Sequence, residues 1–203
     1  MPGDRIAGVL LAAGGATRFG SDKLAAELGG RTLLQWSATA MIEAGLAPVL
    51  AVVRPGTTPP LPPNVTPVAN ALWRDGLSAS VRAGLAALRG DATVNAAVVA
   101  PADQPWCRPE VFRRLIDAFA SSGRSIVMAT FDGAMRNPVL LTRDQWTLAE
   151  QIRGDIGLSA IARGLSPLAV ECGDVGSPID VDTPADLERA RAVLGPAPPD
   201  DGA

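Results

Sequence analysis

The stretch IAGVLLAAGGATRFGSDKL, residues 6–24, changes character along its length. Ile6 to Ala13 is an unbroken apolar run, the pattern of a strand buried on both faces. Its flank holds only Arg5 beside Asp4, so it reads as a first strand rather than a signal peptide. Gly14, Gly15, Ala16 and Thr17 then form a turn without bulky side chains, where backbone N–H groups lie open to an anion. Arg18 follows with a planar fork suited to phosphate, and Lys23 with a flexible point charge. Lys23 is the only lysine in a chain with 17 arginines, which points to a site where the fork does not fit. The spacing is not a Walker A loop, because Ser21 and Asp22 stand where Lys and Ser/Thr should follow Gly20. It is not GxGxxG either.

Beyond this segment the chain alternates. Residues 32–44 put Leu34, Ala38, Met41 and Ile42 on one helical face, and Gly45 stops the helix. Pro48–Val53 reads as a second buried strand. Residues 54–67 hold six prolines and read as a loop over a sheet edge, with a short strand over Val65–Ala71. A helix over 76–90 faces inward through Val81, Leu85 and Leu88, and a strand follows over 95–102. The next helix, 108–120, has Pro109 at its first position. Ser125–Phe131 and Pro138–Thr142 read as strands paired around Asp132-Gly133. Residues 143–163 read as mostly helical with breaks at Gly154 and Gly157. A last strand covers Leu168–Cys172, and Thr183, Pro184 and Asp186 open a final helix over 183–194. Residues 195–203 read as a disordered tail. The expectation is one α/β domain over 1–194, a Rossmann-like three-layer arrangement with a mainly parallel, mixed sheet. Such sheets bind ligands at the carboxyl ends of their strands.

Composition narrows the chemistry. A net charge of −3 and scattered arginines argue against a nucleic-acid surface. No apolar run approaches the ~20 residues of a membrane helix, and a cytoplasmic location is expected. Cys107 and Cys172 read as two buried thiols. The chain has no histidine, which removes the commonest general base and most zinc sites. A metal here must be held by oxygen, which suits Mg2+.

Asp103 lies just past the end of a buried strand, between Pro101 and Pro105. It suits either a Mg2+ ligand or the side-chain cap of a turn. Asp180 and Asp182 alternate along an extended segment and fall on one side; they read as a second ligand for the same ion, or as a strand end and helix-cap region. Gly76, Ser78 and Ser80 open a helix whose free N–H groups and hydroxyls suit a base or ribose, or simply cap the helix.

Taken together, LAAGGATRFGSDKL, WRDGLSASVRAGL, PADQP, NPVLL and IDVDTPADL resemble, in order and spacing, the nucleotidyltransferases of molybdenum cofactor biosynthesis. The resemblance covers about residues 6–194 and is nearest to the cytidylyltransferase branch, with the guanylyltransferase as a sister. It implies a Rossmann-like fold that binds an NTP and Mg2+. Leu11, Ala12, Ala13, Gly14, Gly15, Arg18 and Lys23 would hold the triphosphate, with Gly76, Ser78 and Ser80 near base and ribose. Asp103 would bind the metal with Asp180 or Asp182, and Arg18, Lys23 and Asp103 would carry catalysis. Ala13 stands where the guanylyl branch usually has the first glycine of Leu-Ala-Gly-Gly, which favours CTP over GTP. The acceptor would be a phosphorylated small molecule, molybdopterin in that family, and the partner a molybdoenzyme or its maturation chaperone.

The acceptor half departs from that pattern. Asn137 and Pro138 stand where Gly-His-Pro is usual. Gly154-Asp155-Ile156-Gly157-Leu158-Ser159 lacks the two bases of Gly-Asp-Lys/Arg-Gly-Ala-Arg. Asn137, Pro138 and Asp155 are therefore expected on the acceptor side, with Arg153 or Arg163 as replacement bases and the acceptor left open. Two other readings of the scaffold are an NAD(P)H-dependent oxidoreductase and a non-catalytic cofactor-binding protein.

Overall fold

The computed structural model describes residues 5–14, 19, 23–57 and 59–194. In chain order the strands are β1 (Arg5–Leu11), β2 (Glu27–Leu28), β3 (Arg31–Thr32), β4 (Val49–Val53), β5 (Val65–Ala69), β6 (Val94–Pro101), β7 (Ile126–Phe131), β8 (Ala134–Thr142) and β9 (Leu168–Glu171). The α-helices are α1 (Leu33–Glu43), α2 (Leu77–Leu88), α3 (Pro109–Ser122), α4 (Leu158–Ala162) and α5 (Pro184–Leu194).

Seven strands form one sheet in the order β5-β4-β1-β6-β8-β7-β9, and β2 and β3 form a separate antiparallel ribbon. β5, β4, β1 and β6 are parallel; β8 runs antiparallel to both of its neighbours. The mixed three-layer fold expected from the sequence is the one observed. β5 is the sheet edge, which is where Pro67 does no harm to a ladder. Asp132 and Gly133 both have positive φ, 51° and 76°, the geometry of the tight turn that joins two twisted antiparallel strands.

Alternation along the buried strands divides the core. On one face Leu10 meets Leu34 and Met41 of α1 and Phe112 and Leu115 of α3. On the other, Val9 meets Val81, Leu85 and Leu88 of α2, with Trp146 beyond. Each such fully buried side chain contributes roughly 1.5–3 kcal/mol relative to exposure. α2 lies close on the sheet because Gly84 has no side chain: a Cβ there would stand 2.4 Å from Val9 Cγ1.

Helix ends follow the sequence signals. Thr32 and Gln35 form a reciprocal capping box at α1, and Thr183 and Asp186 exchange side-chain and backbone hydrogen bonds ahead of α5. Residues 143–163 differ from expectation. Arg143–Glu150 is a 3-10 helix, and the α-helix α4 is only five residues long. Tertiary contacts account for this: Arg143 donates to the carbonyls of Asp91 and Val94, and its guanidinium lies 5.1 Å from the buried ring of Trp146. Among the described residues, no helix is long and apolar enough to cross a membrane. Cys107 and Cys172 are both free and buried. Gly15, Arg18 and the tail 195–203 lie outside the described residues.

Candidate functional site

The chain runs β1, β4, β5 toward one edge, then returns through α2 to β6 on the opposite side of β1. The strand order therefore reverses between β1 and β6, and a crevice opens beyond their carboxyl ends. Leu11 pairs with Pro101 at the last register position. Past it, Ala102 N–H donates to Leu11 O (3.3 Å) and Ala12 N–H to Val52 O (2.9 Å). The segments after β1 and β6 thus leave the sheet side by side.

This brings Lys23 and Asp103 together although 80 residues separate them. Lys23 Nζ donates to Asp103 Oδ2 at 2.7 Å and to Asp182 Oδ1 at 2.8 Å. Asp182 arrives from the far end of the chain, on a segment pinned to the β6 turn. Val181 N–H donates to Asp103 O (3.0 Å), and Gln104 Nε2 donates to Pro178 O (3.1 Å) and Asp180 Oδ1 (2.8 Å). Val181 is fully buried among Leu28, Leu33, Leu187 and Ala190, so Asp180 and Asp182 on either side of it both border the crevice.

The electrostatics centre on these groups. Burial alone would lower the Lys23 pKa, but the Asp103 carboxylate, with help from Asp182, outweighs it and holds the ammonium above its ordinary value. The Asp180 pKa is raised too, which for a carboxyl favours the neutral form. The surrounding protein strips enough water from it, open as much of it is, to raise its carboxyl, and the charge of Asp103 adds to the effect against the Gln104 hydrogen bond. Asp103 Oδ1 and Gln104 Oε1 are buried with no hydrogen-bond partner.

The crevice encloses about 460 Å³. Leu11, Ala13 and Gly14 border it from β1 and its exit, Asp103 and Gln104 from the β6 turn, and Gly76 and Ser80 from α2. Trp73 forms a wall, with the guanidiniums of Arg54 and Arg74 at 5.3 and 4.5 Å from its ring. Asn137 and Asp155 close the far side. Four expected residues are not among those that border it: Lys23 reaches it only through the carboxylates of Asp103 and Asp182 that it bonds, and three others stand back from it. Ala12 and Pro138 are buried behind it, and Ser78 is fully buried with an unpartnered hydroxyl. Two positions along an α-helix lie about 200° apart, so Ser78 and Ser80 cannot share one face. Ser80 is the one at the crevice, and its hydroxyl accepts from Asn70 Nδ2 at 3.1 Å.

Gly76 ties the two halves of the crevice together. Its φ is +91°, and a Cβ would stand 2.4 Å from Gly154 C and 2.7 Å from Asp155 Oδ1. Ser78 N–H donates to Gly154 O at 3.0 Å. Gly76→Ala combines backbone strain with a clash against main chain, and is expected to destabilise the protein by roughly 1–3 kcal/mol. A thermal unfolding midpoint equal to that of the parent would contradict this.

Gln104, Trp73 and Asn70 are site residues that the sequence reading did not single out. Gln104 lies within the PADQP motif, and Trp73 opens WRDGLSAS, so motif membership was the available signal. Asn70, ten residues before Ser80, had none. Arg153 does not border the crevice; its guanidinium bonds the carbonyls of Glu150 and Ile152 in its own turn.

Among the described residues no group of three or more carboxylate, histidine or cysteine side chains is arranged to hold a metal by itself. Two carboxylates with phosphate oxygens and water are nonetheless the ordinary surroundings of Mg2+. The orphaned Asp103 Oδ1 and the oxygen-only donor set fit such an ion.

Comparison with known proteins agrees with this geometry. A family model described as MobA-like NTP transferase domain matches residues 8–169. None of the curated proteins gives a significant match. Among solved structures, Rv0371c from Mycobacterium tuberculosis H37Rv is 24% identical, covering 95% of this chain and 100% of that one, with a TM-score of 0.73. Its complex with manganese gives 22%, 94%, 99% and 0.68 in the same order. The 2-C-methyl-D-erythritol 4-phosphate cytidylyltransferase of Thermus thermophilus is 20% identical over 92% of this chain and 98% of that one, TM-score 0.67. Molybdopterin-guanine dinucleotide biosynthesis protein A from Archaeoglobus fulgidus is 18% identical over 92% and 97%, TM-score 0.64. At these identities the likeness is one of fold.

Proposed function

Because the chain belongs to the MobA-like NTP transferase family, we propose that it transfers a nucleoside monophosphate from an NTP to a phosphorylated acceptor. CTP is the donor preferred over GTP, molybdopterin the acceptor, and Mg2+ the ion. The observation that carries this reading is the Lys23 ammonium held between Asp103 and Asp182 where β1 and β6 end. It puts two carboxylates on the border of a nucleotide-sized crevice with a fixed cation bonded to both.

An oxygen of the acceptor's phosphomonoester bonds to the α-phosphorus. The bond from that phosphorus to the bridging oxygen breaks, and pyrophosphate leaves with the electron pair. A phosphomonoester has a second pKa near ~6, so at neutral pH it attacks without losing a proton to the protein. A chain without histidine therefore suffices. Positioning and charge neutralisation supply the acceleration. Lys23, held in place by Asp103 and Asp182, offers a compact preorganised cation as charge moves toward the leaving group, and Arg18 adds a fork to the same tail. Asp103, with Asp180 or Asp182, would hold Mg2+, which supplies further neutralisation of the pyrophosphate. Ser80 and Gly76 border the base and ribose end. The preference for CTP rests on Ala13. The two free thiols fit a cytoplasmic setting, and delivery to a molybdoenzyme or its maturation chaperone follows from the acceptor.

The test is pyrophosphate release with each of the four NTPs and Mg2+, using molybdopterin and a panel of phosphorylated acceptors. Release is expected to be fastest with CTP and to require both metal and acceptor. No release with any pair would overturn the transferase reading; faster release with GTP would overturn the CTP preference.

A further inference from the structure

A second cleft of about 430 Å³ adjoins the first and shares Gln104, Asn137 and Asp180 with it. Arg136 and Arg163 also border it. These two arginines stand apart from the others. Arg108 apart, the other described guanidiniums bond carboxylates or carbonyls, or lie over tryptophan rings. Of the described arginines only Arg108, Arg136 and Arg163 have a guanidinium with neither kind of partner, and Arg136 and Arg163 open onto the same cleft.

Both arrive there through irregular backbone. In the β7–β8 ladder Met128 pairs with Val139 and Ala129 with Arg136, so Asn137 and Pro138 form a bulge. Bulges re-aim the side chains beside them. Arg163 begins the single 3-10 turn that follows α4. The Ser159 hydroxyl adds a donor, and Pro178 with the exposed Ile179 adds an apolar wall.

We propose that Arg136 and Arg163 bind the phosphomonoester of the acceptor, whose body is a ring or other apolar group lying on Pro178 and Ile179. This rests on the transferase reading and assigns its second substrate. Two guanidinium forks match a phosphate dianion in charge and geometry. The shared border at Gln104, Asn137 and Asp180 puts a phosphate held there next to a nucleotide in the first cleft, as attack at the α-phosphorus requires.

The test uses Arg136→Gln, Arg163→Gln, the double variant, and Arg136→Lys as a milder change. Calorimetry measures binding of 4-nitrophenyl phosphate, with 4-nitrophenol as the control without phosphate. Hydrogen bonds to a charged group are worth about 1.5–3 kcal/mol, so each Gln variant should weaken phosphate binding about tenfold or more. CTP affinity, measured in parallel, should stay at the parent value, which separates the acceptor phosphate from the triphosphate tail. In turnover, the KM for the acceptor should rise while the KM for CTP does not. Parent protein that fails to bind the phosphate probe, or variants that bind it as the parent does, would overturn the assignment. An equal loss of CTP affinity would reassign the arginines to the nucleotide and overturn it too. If the parent binds the probe through these arginines but releases no pyrophosphate with any pair, the transferase reading fails while the anion site stands.

Discussion

Lys23→Ala lowers turnover by about 100- to 1,000-fold, the usual cost of removing one preorganised group that stabilises developing charge. The ammonium is fixed before substrate arrives, by bonds of 2.7 and 2.8 Å to Asp103 and Asp182. Little reorganisation is then needed as charge moves to the leaving group. Lys23→Arg keeps the charge but brings a rigid planar fork into a space set for a compact cation, and turnover should fall between those of parent and alanine variant. The fold should persist in both, because neither face of the core includes this side chain. The check is steady-state pyrophosphate release beside far-ultraviolet circular dichroism. Near-normal turnover of the alanine variant would remove Lys23 from the mechanism. The raised Lys23 pKa gives the sign of the pH effect. The ion pairs' contribution to stability is whole below the ordinary lysine value. It fades only as pH rises through the elevated one, so alkaline loss of activity near about pH 8 would have another source.

Asp103→Asn is expected to cost as much, for a different reason. The change keeps size and shape, and an amide oxygen can still accept from Lys23. It removes one negative charge and the oxygen donor that is buried without a partner. In the proposed reaction this weakens the hold on Mg2+, so kcat/KM should fall by about 100- to 1,000-fold. Part of the loss should return at higher metal concentration, whereas the Lys23→Ala loss should not respond to metal. That contrast, read from metal titrations of both variants, distinguishes the two roles. Activity of the Asp103→Asn protein at the parent level and parent metal dependence would exclude Asp103 as a ligand.

Much of the architecture was legible because its central strands, β1, β4, β6 and β7, are buried on both faces and read as short apolar runs between glycine and proline breaks. Asp132-Gly133 fixed the one hairpin among the long strands, since two successive left-handed residues are rarely tolerated elsewhere. Residues 143–163 were harder. Their apolar spacing suits a helix, and only the long-range bonds of Arg143 reveal why the backbone tightens into a 3-10 path. β8 begins earlier than expected, at Ala134 rather than Pro138, because a bulge absorbs the proline that reads as the strand's start. In the site, the meeting of Lys23 with Asp103 followed from the rule that ligands lie beyond parallel strand ends. The separation of Ser78 from Ser80 required knowing which face of α2 meets the crevice. The guanidiniums of Arg136 and Arg163 were invisible as a pair, since 26 residues and a change of element lie between them.

The segment around Val181 has a bearing on biosynthesis. Every described strand of the large sheet has been translated once Glu171 is added, yet Asp180 and Asp182 are still to come. A nascent chain emerging from the ribosome can therefore assemble its scaffold first, while Asp182, one of the two carboxylates that hold Lys23, is still unmade. Only when Val181 seats beside Leu187 and Ala190 of α5 do those carboxylates take their places, so competence to grip substrate is acquired after the whole sheet has been made.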